Sequence, residues 1–411
     1  MNRRNPSLFL LSTLAAGCGG PGGFEPIEEL PRPLTTAETQ LVDADNRFAF
    51  KLFREVTAGA EPGANVFISP LSVGMALGMA YNGAAGTTRD AMQQTLELGG
   101  MTLQEVNESY QSLIALLRDL DPRVEFTLAN SIWYRDGIAV VPDFVDLNQR
   151  YFDAEVAALN FDDPGAAGVI NAWVDETTRG KIREIVSPPI DPQTIMFLIN
   201  AIYFKGDWTH QFDKDRTRPE PFLQPDGSQT SVPMMSPEAA IPVRVHGDET
   251  YTVLDLWYGG RAYSMTIVVP RDPATIHEVV RTVTQEQWNA WVAGLDSTEI
   301  EVAIPKFTLE YDVTLNDVLA ALGMGLAFSP EEADFTNLYA GPERAFISKV
   351  KHKTFVDVNE EGTEAAAVTS VEVGVTSVPE RLVVDRPFLF AIRENYSGTI
   401  LFMGKIVNPR S

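Results

Sequence analysis

The chain has 411 residues, 45% of them hydrophobic, 21% charged and 9% aromatic, the balance of a soluble globular protein with a sizeable core. Its 32 basic side chains face 56 acidic ones, and a formal net charge of -24 argues against nucleic acid or an anionic membrane surface as a partner. A single cysteine, Cys18, rules out an internal disulfide.

In chain order, the N-terminus carries two arginines, a short apolar run from Leu8 to Ala16, and then Gly17-Cys18. This resembles a bacterial lipoprotein signal, in which the cysteine becomes the lipidated first residue of the mature chain. The leucine stands four residues before Cys18, where three is commoner. An ordinary secretory signal cleaved near Ala16, or a stray cysteine in a tail, are the other readings, and the apolar run is too short to span a bilayer. We read residues 1–17 as the signal, 18–36 as a Gly/Pro-rich tether and 37–411 as one large domain. The expected location is secreted or extracytoplasmic, with the chain held to a bacterial membrane only through lipidated Cys18.

Residues 37–57 place Leu41, Phe48, Leu52 and Val56 at helical spacings, with Thr35 or Thr36 to cap the start. Ser72 opens SVGMALGMAYNGA, a small-residue helix suited to close packing. Residues 102–118 set Val106, Tyr110, Leu113, Ile114 and Leu117 on one helical face. From Val124 strands dominate: EFTLANSIWY, TIMFLINAIYFKG, YSMTIVVP, IEVAIPKFTLEY, KTFVDVN, and the pair RPFLFAI and TILFMGKIV around the turn signal ENYSG. Helices first and strands later indicate an α+β fold.

Enzyme signatures are missing from the sequence. Four histidines (His210, His246, His277 and His352) stand far apart, with no nucleophile elbow, HExxH, phosphate-binding loop or cysteine pair. We therefore expect a protein that is not an enzyme, with no metal and no cofactor. His352, between two lysines at the start of a strand, reads as a structural hydrogen bonder.

Five stretches together resemble the serpins: NVFISPLSVGMAL (65–77), NAIYFKGDW (200–208), PKF (305–307), NEEGTEAAA (359–367) and RPFLFAIRENYSGTILFMGKIVNP (386–409). They occur in the serpin order and cover residues 37–409. The resemblance implies three β-sheets, eight to nine helices and an exposed reactive-centre loop. It also implies a suicide mechanism, in which a serine protease cleaves the loop and is trapped as an acyl-enzyme while the loop inserts into the main sheet.

The hinge of that loop can be read on its own terms. From Thr363 the odd positions, Thr363, Ala365, Ala367, Thr369, Val371 and Val373, are small or β-branched. Both carboxylates, Glu364 and Glu372, fall on the even face with Ala366, Val368 and Ser370. No Pro, Lys, Arg or Asp interrupts residues 362–373, so nothing in the composition opposes insertion. Gly362 sits at the pivot, where glycine's freedom of backbone angle is expected to matter.

By family correspondence the cleaved bond joins Thr376 to Ser377, with Val375 as the alternative. A small uncharged residue there implies a protease of elastase or subtilisin preference. The resemblance also implies a polar cluster under the main sheet (Ser69, Ser72, Asn200, His352) and, at the top of the opening, an ion pair of Lys306 with Glu360 beside Trp208. The partner implied is a serine protease held covalently by a monomer; the alternative is a non-inhibitory serpin acting as a binding protein.

Overall fold

The computed structural model describes residues 25–363 and 381–410. In chain order the elements are α1 (Thr36–Gly59), β1 (Val66–Ile68), α2 (Pro70–Gly83), α3 (Gly86–Thr95), α4 (Leu103–Arg118), β2 (Val124–Arg135), α5 (Pro142–Phe152), β3 (Ala154–Leu159) and α6 (Ala166–Thr177). Six strands follow: β4 (Met196–Asp207), β5 (Asp213–Leu223), β6 (Gln229–Ser236), β7 (Ile241–Gly247), β8 (Tyr251–Tyr258) and β9 (Tyr263–Pro270). Then come α7 (Ile276–Thr282), α8 (Gln285–Ala293), β10 (Asp296–Pro305), β11 (Phe307–Thr314), α9 (Asn316–Leu319), β12 (Lys351–Val358) and β13 (Gly362–Thr363). The chain closes with β14 (Arg381–Val383), β15 (Phe388–Glu394) and β16 (Ile400–Ile406). The fold is α+β.

Ten strands are connected, nine of them along the path β1-β16-β15-β9-β8-β7-β10-β6-β5 and the tenth, β14, beside β10. Strand β10 serves two sheets along this path: Asp296–Ile300 pair with β7, whereas Ile304 and Pro305 pair with β6. The remaining six strands form the sheet β11-β12-β13-β4-β2-β3; with the ten-stranded system divided at β10, the described strands make three sheets. Phe204 of β4 reaches across the core to Tyr258, Tyr263 and Phe402, and so joins the six-stranded sheet to the one behind it.

Helix α1 starts as its sequence predicts, with the Thr35 hydroxyl accepting from Glu38 N–H and the Glu38 carboxylate accepting from Thr35 N–H. The expected apolar face of α4 is buried at all five positions. Helix α2 is buried on all sides but one residue, and its small residues let neighbours approach: a Cβ on Gly78 would lie 3.1 Å from Tyr110 and 3.2 Å from Phe152. Strands β15 and β16 form the expected antiparallel hairpin and are buried throughout.

Some boundaries differ from the sequence reading. Ser72 lies inside α2; the cap is Ser69, whose hydroxyl accepts from Ser72 N–H at 3.2 Å, and Pro70 takes the first turn, where its missing N–H costs nothing. The run IEVAIPKFTLEY is two strands in two sheets, parting at Lys306. Helices α3 and α5 to α9 have no counterpart in the sequence reading. Of the segment assigned to the tether, Ile27, Leu30 and Leu34 pack against the domain: Ile27 N–H donates to Gly260 O at 2.8 Å, and Arg32 forks onto Glu38.

Candidate functional site

The six-stranded sheet parts at its centre. Strand β13 lies between β12 and β4, with Val358 opposite Thr363 on one side and Gly206 and Asp207 opposite Thr363 and Gly362 on the other. Among the described residues no ladder joins β12 directly to β4. The slot below Thr363 is walled by Ile202 and Phe204 of β4, Phe355 and Val356 of β12, and Ile182 after α6.

The residues just before β13 are held from several sides. Trp208 N–H donates to Glu361 O at 2.8 Å, the Trp208 indole N–H to Asn359 O at 2.9 Å, and Phe212 N–H to Glu360 O at 2.8 Å. The buried Trp208 ring stacks on Tyr258 with centroids 4.4 Å apart and planes 12° from parallel. Asn359 turns its side-chain oxygen onto the Glu361 and Gly362 N–H groups.

Both carboxylates of this pivot are paired. Glu360 accepts from Lys306 Nζ at 2.8 Å and from the Thr217 hydroxyl at 2.8 Å. Burial pushes its carboxyl up, but these donors and the Lys306 charge outweigh that and hold it below the ordinary carboxylate value. Glu361 pairs with Lys214. Lys306, Glu360 and Trp208 are therefore brought together at the top of the slot, as are Thr217, Asn359 and Lys214, which no local sequence signal singles out.

Gly362 is required by space and not by backbone angle. Its φ is not positive, contrary to the expectation of unusual backbone freedom; instead a Cβ would fall 2.1 Å from Gly206 O and 2.6 Å from Asp207 Cα. Thr363, the one described position of the odd-numbered face, is buried, with its hydroxyl 2.7 Å from the Tyr258 hydroxyl. Beyond the gap, Arg381 opens β14 and bonds to Glu220 at 2.8 Å, fixing the far side. Ala365, Ala366, Ala367, Thr369, Val375, Thr376, Ser377 and Cys18 lie outside the described residues.

Under the centre of the sheet, Ser69 N–H donates to His352 Nε2 at 3.0 Å, and the Ser69 hydroxyl donates to Leu401 O at 2.7 Å. The Ser72 hydroxyl reaches Asn200 O at 3.4 Å, and the Asn200 amide donates to Asn130 Oδ1 at 2.7 Å. Ser69, Ser72, Asn200 and His352 thus form one chain across α2, β4 and β12. Asn130 extends it to β2, and the Thr354 hydroxyl, bonded to Phe67 O at 2.6 Å, adds a second link to β1. Because Nε2 accepts, the ring is neutral, and burial lowers its pKa to about 4 despite Asp312 nearby. Among the described residues no group of three His, Cys, Asp or Glu could hold a metal ion.

A family model described as "Serpin (serine protease inhibitor)" matches residues 43–409. The leukocyte elastase inhibitor of Homo sapiens is 36% identical over 381 residues, covering 90% of this chain and 100% of that one. Among solved structures, native tengpin, a thermophilic serpin, superposes with a TM-score of 0.81 at 28% identity, over 93% of this chain and 97% of the other. Human thyroxine-binding globulin does so with a TM-score of 0.82 at 28% identity, over 92% and 100%.

Proposed function

The chain belongs to the serpin family, and from that premise we propose that it is a suicide-substrate inhibitor of an extracellular serine protease with an elastase- or subtilisin-like preference for small residues. The observation that carries this reading is the seat of Gly362–Thr363 in a strand position between β12 and β4, followed in the sequence by ten residues free of Pro, Lys, Arg and Asp. A chain that enters a parted sheet there meets no charge to bury until it has passed the small-residue hinge. The likeness to a leukocyte elastase inhibitor supports the small-residue preference, as does Thr376 at the bond to be cut.

In this reading the protease serine forms an ester with the carbonyl carbon of Thr376, and the bond to Ser377 breaks with its nitrogen leaving as an amine. Insertion of about fourteen residues at about 3.3 Å each then carries the protease some 45 Å before water can reach the ester. The inhibitor is consumed rather than turned over. It acts as a monomer held outside the cytoplasm by lipidated Cys18.

Mixing the purified protein with pancreatic elastase tests this. We expect a one-to-one complex that survives boiling in detergent. Cleavage with no complex at any ratio would favour the second reading, a binding protein, for which the likeness to thyroxine-binding globulin is the motivation. Cys18→Ala should release the protein from the membrane fraction of expressing bacteria; continued membrane association would remove the anchor from the account.

A further inference from the structure

Strand β5 lies at the edge of its sheet, and its ladder to β6 is broken in one place. Asp213 pairs with Ser236, but the next pair is Arg218 with Met234, so Lys214–Thr217 leave the ladder. In a regular strand, positions 214 and 217 would point to opposite faces. The bulge turns both onto the pivot: Lys214 onto Glu361 and Thr217 onto Glu360. Glu360 and Glu361 are adjacent, so they too would face opposite ways along an unbroken strand. An irregular partner is what allows one element to hold both.

We propose that Lys214 is a positioning residue for loop insertion, acting through Glu361 to fix the point about which the cleaved loop swings. The proposal rests on the inhibitor reading and is separate from the Lys306–Glu360 pair. Glu361 is mostly buried at the pivot, with 11% of its side chain exposed, one residue before β13, where its carbonyl accepts from Trp208 N–H at 2.8 Å. Beside it the Thr217 hydroxyl holds Glu360, so the bulge of β5 grips both residues that precede β13. Lys214 ties the mostly buried Glu361 carboxylate to the edge strand β5. Without it the pivot loosens, insertion slows against hydrolysis of the acyl-enzyme, and more inhibitor is spent for each protease trapped.

The measurement is the stoichiometry of inhibition of pancreatic elastase. Lys214→Ala and the isosteric Glu361→Gln should each raise it about two- to five-fold, the range expected for a partly exposed pair. Lys214→Arg should restore the wild-type value, and 1 M salt should move the wild type toward the alanine variant. An unchanged stoichiometry in Glu361→Gln overturns the proposal, even if Lys214→Ala fails to fold. So does an equal rise in Lys214→Arg, which would point to packing instead of charge. If the wild type forms no complex with elastase, the inhibitor reading falls first and this proposal with it.

Discussion

The two places that hold the parted sheet are built from different materials. At the top, the pivot is a set of charges, with Lys306 and Lys214 on Glu360 and Glu361 and an aromatic stack behind them. At the centre, Ser69, Ser72 and His352 are buried, Asn200 is half-buried, all four are neutral, and they are linked by hydrogen bonds from strand to helix. The lysine ends of both pairs are at least partly exposed and can take water in place of a carboxylate as the chain moves, which suits a point that must turn. Buried neutral bonds cannot, since each orphaned donor costs about 1–3 kcal/mol, which suits a point that must resist parting until insertion repays it.

The larger expected effect is at the centre and depends on pH. His352 has a pKa of about 4 in the folded chain against 6.5 for an unperturbed ring, so the unfolded chain binds its proton first. The contribution is full above about pH 6.5 and is lost as pH falls toward 4, by roughly 3 kcal/mol. Asp45 works in the opposite sense. Burial raises it to about 7, against a hydrogen bond from Tyr110, so its contribution falls as pH rises from its ordinary value of 3.8 toward 7. Urea unfolding of wild type and His352→Gln at a series of pH values separates the two. The variant should lose the acid slope between pH 6.5 and 4 while keeping that of Asp45, and identical slopes would mean that His352 carries none of it.

A smaller effect is expected at the pivot. Lys306→Met leaves the mostly buried Glu360 carboxylate without its cation, and should cost about 1–2 kcal/mol at low ionic strength. The difference between wild type and variant should shrink in 1 M salt. An equal difference at both salt concentrations would mean that the pivot, like the centre, is held by packing.

Much of the fold is legible in the sequence. Period and caps locate α1, α4 and the β15–β16 hairpin because their signals are local: Thr35 and Glu38 sit three residues apart, and the apolar stripe of α4 repeats every turn. The Lys306–Glu360 pair and the Ser69–His352 bond were reached through the family resemblance, since their partners lie 54 and 283 residues apart and no periodicity connects them. Lys214 was not legible at all. Its role depends on a slipped register between β5 and β6, and nothing in DKDRTRPEPFL marks where the ladder breaks. The break between β10 and β11 is similarly silent, because Ile304, Pro305 and Phe307 are all buried and read as one apolar run.

The contact between Gly362 and Gly206 bears on how such a chain can diversify. If the protein is the inhibitor proposed above, with its cleaved bond at Thr376, the sequence around that bond can drift to meet a new protease, since only the protease inspects it. The pivot cannot drift in the same way, because what excludes a side chain there is the backbone of β4, which no substitution in β4 removes. Target range and moving part are thus under separate constraints in the same loop, and one can evolve while the other stands still.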